Sequence, residues 1–414
     1  MKEIIQISDL GKIITGKTPP TGNKNYWGNH MLFIKPTDIN EECKYTYTTE
    51  QGFTEIAAEK YASSRIPKGA ICVTCIGTIG RKMTKAHCDC FVNQSINAII
   101  TNEKFDEEYV YYLIKNFLPN LKQYNLGTAS GREFVSKSNF EKIQILAETD
   151  LSTQLRIASI LSRYDDLIEN YQHQIQLLEE AAQRLYKEWF VDLHFPGYEN
   201  TNIVDGVPEG WEKKTFKNCL QEHLNGGWGK EFSTGSYTNS AWVVRGTDIE
   251  KLKSGQFKET PLRFHTNRDI QNKTIRPYDF IIELSNGNIN NVGRSFIFDE
   301  LILKQYKGQV MCASFCKLLR PLSKSLGLVM YNEVVYMQES KIMMKYKKNG
   351  ANGINNFDFN GFLEHSFLFP NEKKLINLFD KYIKLISTYR VQINLLTEAR
   401  DRLLPKLMSG EITV

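Results

Sequence analysis

The chain has no run of eighteen apolar residues, and its N-terminal segment lacks the basic-then-apolar pattern of a secretory signal. These absences argue against a membrane-spanning helix and against export. Eight cysteines scattered over 414 residues, without an export signal, are expected as reduced thiols in the cytoplasm. HExxH and GxSxG are missing, and no dispersed Cys/His set has assignable roles. The [DNS]-P-P-[FYW] tetrapeptide of amino-methyltransferases acting on DNA is missing too; the only Pro-Pro lies in Thr18-Pro19-Pro20-Thr21. Charge of one sign is scarce, with a net of +5. What remains is a folded-protein composition, 41% apolar and 12% aromatic, long enough for two or three domains with cores.

Two motifs come close to a known chemistry and fail on context. Gly11-Lys12-Ile13-Ile14-Thr15-Gly16-Lys17-Thr18 fits the phosphate-binding pattern GxxxxGK[ST]. That site needs a helix beginning at its lysine, so that the first amides meet the phosphates. Pro19 and Pro20 remove two amides and bias the chain away from helix, so the segment reads as a polar loop suited to phosphate contacts on DNA. Cys72-Val73-Thr74-Cys75 with His87-Cys88-Asp89-Cys90 has a spacing compatible with zinc. The first pair, however, sits in Ile71-Cys72-Val73-Thr74-Cys75-Ile76, which reads as a strand. Buried structural cysteine is the expectation, with no metal site.

The most informative feature is a repeat. Residues 164–185 and 382–403, at an offset of 218, agree at 12 of 22 positions without a gap, including Tyr164/Tyr382, Ile168/Ile386, Tyr171/Tyr389, Ile175/Ile393 and Leu178/Leu396. Those ten residues lie on an apolar stripe that advances in alternating steps of four and three. One copy runs Ile157, Leu161, Tyr164 and onward to Trp189; the other runs Leu375, Phe379, Tyr382 and onward to Leu407, with Arg400 as its polar interruption. Sustained over about four heptads, such steps describe a coiled-coil seam. Ser152–Thr153 and Asn371 after Pro370 read as start signals. A helix of roughly 38 residues would be about 57 Å long. Asp165-Asp166 and Glu179-Glu180 are read as solvated charge on the outer face.

What precedes each helix repeats more faintly. At an offset of 210, Ile34-Lys35-Pro36-Thr37-Asp38-Ile39 reappears as Val244-Arg245-Gly246-Thr247-Asp248-Ile249, and Leu10/Leu220 and Gly16/Gly226 also match. Ile66-Pro67-Lys68-Gly69 and Ile275-Arg276-Pro277-Tyr278 are turn signals, each followed by a strand-like run. The order is head, helix, head, helix. The expected domains are residues 1–149, a helix over 150–190, a turn-rich linker over 191–214, a second head over 215–369, and a helix with tail over 370–414. Two tandem units whose helices pair are most simply related by a pseudo-twofold axis, with the helices antiparallel. The fold class is therefore α+β: two mixed α/β heads and a two-helix antiparallel coiled coil.

Residues 150–190 carry four basic and seven acidic side chains, whereas 371–414 carry eight and five. The heads are mildly basic, which permits nucleic-acid binding without requiring it. Their loops hold the residue types that meet phosphates and base edges. In the first head the candidates are Lys17, Thr18, Lys24, Lys35, Arg81, Lys82, Ser130 and Arg132. In the second they are Lys230, Arg245, Asn286, Asn288, Arg294, Lys348, Asn352 and Asn355. No catalytic residue is assigned.

The chain resembles the specificity (S) subunits of type I restriction–modification systems. The resemblance rests on Arg156-Ile157-Ala158-Ser159-Ile160-Leu161, on Leu185-Tyr186-Lys187-Glu188-Trp189-Phe190-Val191-Asp192, and on Phe195-Pro196-Gly197-Tyr198-Glu199. Pro208-Glu209-Gly210-Trp211-Glu212 and the terminal Leu403-Leu404-Pro405-Lys406-Leu407-Met408-Ser409-Gly410-Glu411-Ile412 extend it over the chain. Residues 357–362 follow the family pattern loosely. The resemblance implies that the heads are target recognition domains, each reading half of a split, asymmetric double-stranded DNA sequence, and that the helices are spacers. It implies a non-enzymatic scaffold without its own cofactor. Two modification (methyltransferase) subunits would bring S-adenosylmethionine, and restriction subunits, as further partners, would bring ATP and Mg. The competing expectation is the recognition half of a fused restriction–methyltransferase polypeptide; a chain whose Met1 opens directly on a head favours the separate subunit.

Overall fold

The computed structural model of the protein describes residues 2–127, 133–350 and 353–414. Its contacts fall into two units, residues 1–169 with 396–414, and residues 170–395.

The first unit is built on a four-stranded antiparallel sheet in the order Gly11–Thr15, Ile96–Thr101, Ile71–Thr74, Met83–Lys85. The central strand Ile71–Thr74 is buried at every position, as its unbroken Ile-Cys-Val-Thr run demands. Beside it, Met31–Ile34 pairs in parallel with Phe91–Val92 and antiparallel with Gly52–Phe53. Lys2–Gln6 pairs with Gln144–Glu148, which leads into the helix Leu151–Tyr186. The stretch read from sequence as a polar loop is corrected here: Gly11–Thr15 is a strand, because it pairs with Ile96–Thr101 along its length and buries Ile13 in the core.

The second unit repeats the core of this plan and adds a three-stranded sheet in the order Ser285–Asn286, Asn355–Phe357, Lys347–Lys348. Its four-stranded sheet runs Leu220–Asn225, Cys316–Pro321, Phe280–Glu283, Ser295–Ile297. Asn239–Val244 pairs in parallel with Gln309–Cys312 and antiparallel with Leu262–His265. The register is also kept: Ile34 lies opposite Val92 in one unit and Val244 opposite Cys312 in the other. Trp211–Thr215, which crosses the expected 214/215 boundary, pairs with Ser366–Pro370 before the helix Lys373–Ser409.

Both long helices form, with 36 and 37 residues, the first ending in a π-helical turn at Lys187–Val191. Within the second unit Tyr171 stacks on Tyr389 at 5.0 Å and Tyr186 meets Phe379 at 6.0 Å. One number rises as the other falls, so the helices are antiparallel there. Ile168, Ile175, Ile386 and Ile393 are buried, while Tyr164, Leu178, Tyr382 and Leu396 are half-buried. The start of the first helix differs from the sequence reading. The capping side chain is Asp150, whose carboxylate accepts from the Thr153 amide at 2.9 Å and from the hydroxyls of Ser152 and Thr153.

Two further readings need correction. Asp165 is buried within the first unit and accepts from Tyr112 and Arg400; it is not on a solvated face. Glu179 is half-buried and accepts from Arg390 at 2.7 Å. Sequence periodicity counted both among outer-face charges, but each lies beside the seam, where a basic residue on the other helix answers it.

Candidate nucleic-acid interface

In both heads a three-residue loop joins the parallel edge strand to the long central strand. It is Asn93-Gln94-Ser95 in the first and Ala313-Ser314-Phe315 in the second. A glycine packs behind each. A Cβ on Gly16 would lie 2.1 Å from the Val92 carbonyl oxygen, and one on Gly226 would lie 2.1 Å from that of Ala313. Only a residue without a side chain lets the backbones approach so closely. The same backbone hydrogen bonds then pin both loops. Gly16 donates to Ile96 and Gly226 to Cys316, both at 3.1 Å; Asn93 donates to Ile34 at 3.0 Å and Ala313 to Val244 at 2.8 Å. Cys75 donates to Ser95 at 2.7 Å, and Leu284 donates to Phe315 at 2.8 Å.

In the second head this loop borders an open groove of about 560 Å³. Trp228, Phe315 and Ile354 form apolar parts of its wall, with Arg245, Glu283 and Asn286 as polar ones. The Arg263 guanidinium lies over the Trp228 ring at 4.4 Å. The groove was not legible as a site in the sequence, although Trp228 stands at the offset-210 counterpart of Thr18. Phe315, Gln94 and Ile354 carried no signal that could have found them, because the loop offset has drifted to 220.

The structure sorts the sequence candidates by what else holds them. Lys17 and Lys24 are exposed and make no ion pair among the described residues, so they are free for phosphates. Thr18 is exposed and donates to the Gln94 side chain. Lys35 pairs with Glu50 at 2.5 Å, Arg81 with Glu41 at 3.2 Å, and Lys82 donates to the Pro36 carbonyl at 2.7 Å. Ser130, Arg132 and Asn352 lie outside the described residues.

In the second head Lys230 is exposed, with its ammonium 5.7 Å from the Tyr237 ring centre. Arg245 is held by Asp248 through two side-chain bonds, at 2.7 and 2.9 Å. Arg294 donates to Glu283 at 2.9 Å and to the Gly246 carbonyl at 3.1 Å. Lys348 pairs with Asp358 at 2.8 Å. Asn286 donates to Glu283 and Asn355 to the Gly287 carbonyl, which brings these two amides together, while Asn288 is exposed and caps its own turn. The repeated Thr-Asp-Ile motif has a structural reason: Asp38 and Asp248 accept from the backbone amides of Lys35 and Arg245, at 2.8 and 2.9 Å.

Among the described residues no group of three or more His, Cys, Asp or Glu side chains is arranged to hold a metal ion. Cys72 lies in the buried strand and Cys75 is buried just beyond it; burial pushes both thiols up to about 12, so they stay protonated at neutral pH. No helix among the described residues is long and apolar enough to cross a membrane.

Two duplicated heads joined to long paired helices, each head with a framed loop, define a class of modular recognition protein. Residues 2–180 match the family described as type I restriction modification DNA specificity domain. Over its whole length the chain is 28% identical to the type I restriction enzyme MjaIX specificity subunit of Methanocaldococcus jannaschii, covering 94% of that protein. A 171-residue stretch, 41% of this chain, is 30% identical to the HindI specificity subunit of Haemophilus influenzae and covers 36% of it. The type I restriction-modification S subunit from M. genitalium shares the fold, with a TM-score of 0.55 at 14% identity over 98% of this chain and 96% of that one. The chain is thus similar over its whole length to a type I specificity subunit and shares the fold of another, and its first 180 residues match the DNA specificity domain of that family.

Proposed function

We propose that the two heads read the two parts of a split, asymmetric DNA target, that the paired helices set the gap between them, and that the chain itself performs no catalysis. The observation that carries this reading is the pair of equivalent loops, identical in backbone bonding and different in side chains. One recognition frame with two sets of readers suits a target with two unlike halves. Lys17 and Lys24 would hold phosphates and fix register, while the loops supply sequence discrimination. The relatives matched over this chain are specificity subunits, which supports the separate subunit over a fused polypeptide.

Chemistry would reside on partners in the same cytoplasmic complex: S-adenosylmethionine on two modification subunits, ATP and Mg on restriction subunits. Support for two equivalent docking partners comes from the helices, where Leu167 and Leu177 are 46% and 50% exposed and their repeat counterparts Leu385 and Leu395 are 40% and 51% exposed. Repeated exposed leucines on otherwise polar surfaces suit protein contacts.

The test lengthens the helices without disturbing the seam. One heptad is added after His173 and another after Ser387, which adds about 10 Å to each helix. At about 3.4 Å per base pair, the gap should lengthen by about two or three base pairs. Methylome mapping in cells carrying the variant should return both half-sites unchanged around the longer gap. An unchanged gap, or altered half-sites, would refute the spacer reading.

A further inference from the structure

The two framed loops carry opposite chemistry, and the residue facing each has changed with it. In the first head Gln94 is exposed, and its amide oxygen accepts from the Thr18 hydroxyl; its amide nitrogen has no partner among the described residues. In the second head the position of Thr18 is taken by Trp228, 39% exposed, and the loop has Ser314 at the place of Gln94 and presents Phe315, one residue further on and 66% exposed. The two loops thus expose different chemistry: a hydrogen-bonded pair in one head, two aromatic side chains lining one groove in the other.

Phosphate binding does not explain the aromatic version. The groove's one arginine, Arg245, is held by Asp248, and the Glu283 carboxylate lies in the same wall. Glu283 is in turn paired with Arg294 at 2.9 Å, so the groove offers no unpaired cation to a phosphate, and its wall suits uncharged, partly apolar groups. An exposed Phe held on a pinned backbone meets such a group at no cost in refolding.

We infer that Gln94 and Phe315 are base-reading residues on the two framed loops with different bases, Gln94 taking an adenine edge through its amide and Phe315 taking the C5-methyl of thymine. Gln matches the donor and acceptor pattern of adenine, and among the base edges of the major groove only thymine offers a methyl group. Thr18 is the positioning residue for Gln94, and Trp228 walls the methyl pocket. The backbone frame is shared because both heads dock alike, and the tips differ because the half-sites do.

This assignment rests on the recognition reading above, and the experiment separates the two. The chain, assembled with its modification subunits, is used to select from a randomised pool of duplex DNA, as wild type, Gln94→Ala and Phe315→Ala. Both side chains are exposed and their backbones are pinned by main-chain bonds, so neither truncation should unfold a head. Each variant should lose roughly 5- to 100-fold of discrimination at one A·T pair, in different half-sites, with the other half-site and the gap unchanged. A uniform loss of affinity over all sequences, relaxation at a G·C pair, or no change would overturn the assignment. A wild-type complex that selects no sequence would instead overturn the recognition reading itself.

Discussion

Arg400 places its Nη1 2.5 Å from Oδ1 of Asp165, with the two side chains only 3% and 7% exposed. Tyr112 donates to the other carboxylate oxygen at 2.6 Å. At the repeat offset of 218 the counterparts of Asp165 and Arg400 are Ile383 and Ala182, both apolar and both buried in the second unit. The duplicated seam is thus ionic at one place and apolar at its equivalent. Glu179 and Arg390 add a second acid–base pair, and again the first helix supplies the acid and the second the base.

Arg400→Ala should leave Asp165 buried without its partner and lower stability by about 3–5 kcal/mol. The double variant Asp165→Ile with Arg400→Ala copies the apolar pair already present in the second unit and should recover most of that loss. Urea unfolding of wild type, Asp165→Ile, Arg400→Ala and the double variant measures the coupling. Additive effects of the two substitutions would mean that the pair does not act as a unit.

Acid should dissolve the same pair. Burial raises the Asp165 carboxyl, but Lys115, Arg400 and the Tyr112 hydrogen bond outweigh it and hold the group below the usual carboxylate range. A depressed carboxyl contributes stability that is complete above its unfolded value, near 3.9, and is lost as pH falls through the folded value below it. The difference in unfolding free energy between wild type and Asp165→Asn should therefore stay constant from about pH 7 to 5 and shrink below about pH 4. A difference that does not change with pH down to about 2 would contradict the linkage.

Gly226→Ala should damage the second head alone. Its Cβ would fall 2.1 Å from one carbonyl oxygen and 2.4 Å from another, both backbone atoms of the pinned strand end. The loop must move, so selectivity at the half-site read by that head should fall while the other half-site is read normally. Selection from randomised duplex DNA decides it; unchanged selectivity would show that the loop frame is not needed for reading.

Salt should weaken binding steeply. Each neutralised phosphate contributes a slope of roughly −0.9 to the dependence of log affinity on log salt for duplex DNA. Lys17→Ala should reduce the magnitude of that slope by about one and lower affinity similarly for all sequences. If the assembled complex binds with equal affinity at about 50 and 200 mM salt, the phosphate role fails.

The sequence by itself determined the duplication, the seam and the order head, helix, head, helix, because a heptad stripe and an ungapped repeat are local, periodic signals. It also placed Cys72 in a strand, since an apolar run bounded by turn signals needs no distant partner to be recognised. Tertiary structure alone decided the fate of the charges and the identity of the reading loops. Asp165 adjoins the seam residue Tyr164, and whether it faces water depends on Tyr112 and Arg400, which lie 53 and 235 residues away. Arg294 looks free in a list of basic residues, yet Glu283 holds it once the strands are assembled. The loops that carry Gln94 and Phe315 became equivalent only when shared backbone bonds put them at the same place in two sheets, because insertions between strands had shifted their offset while pairing preserved their register.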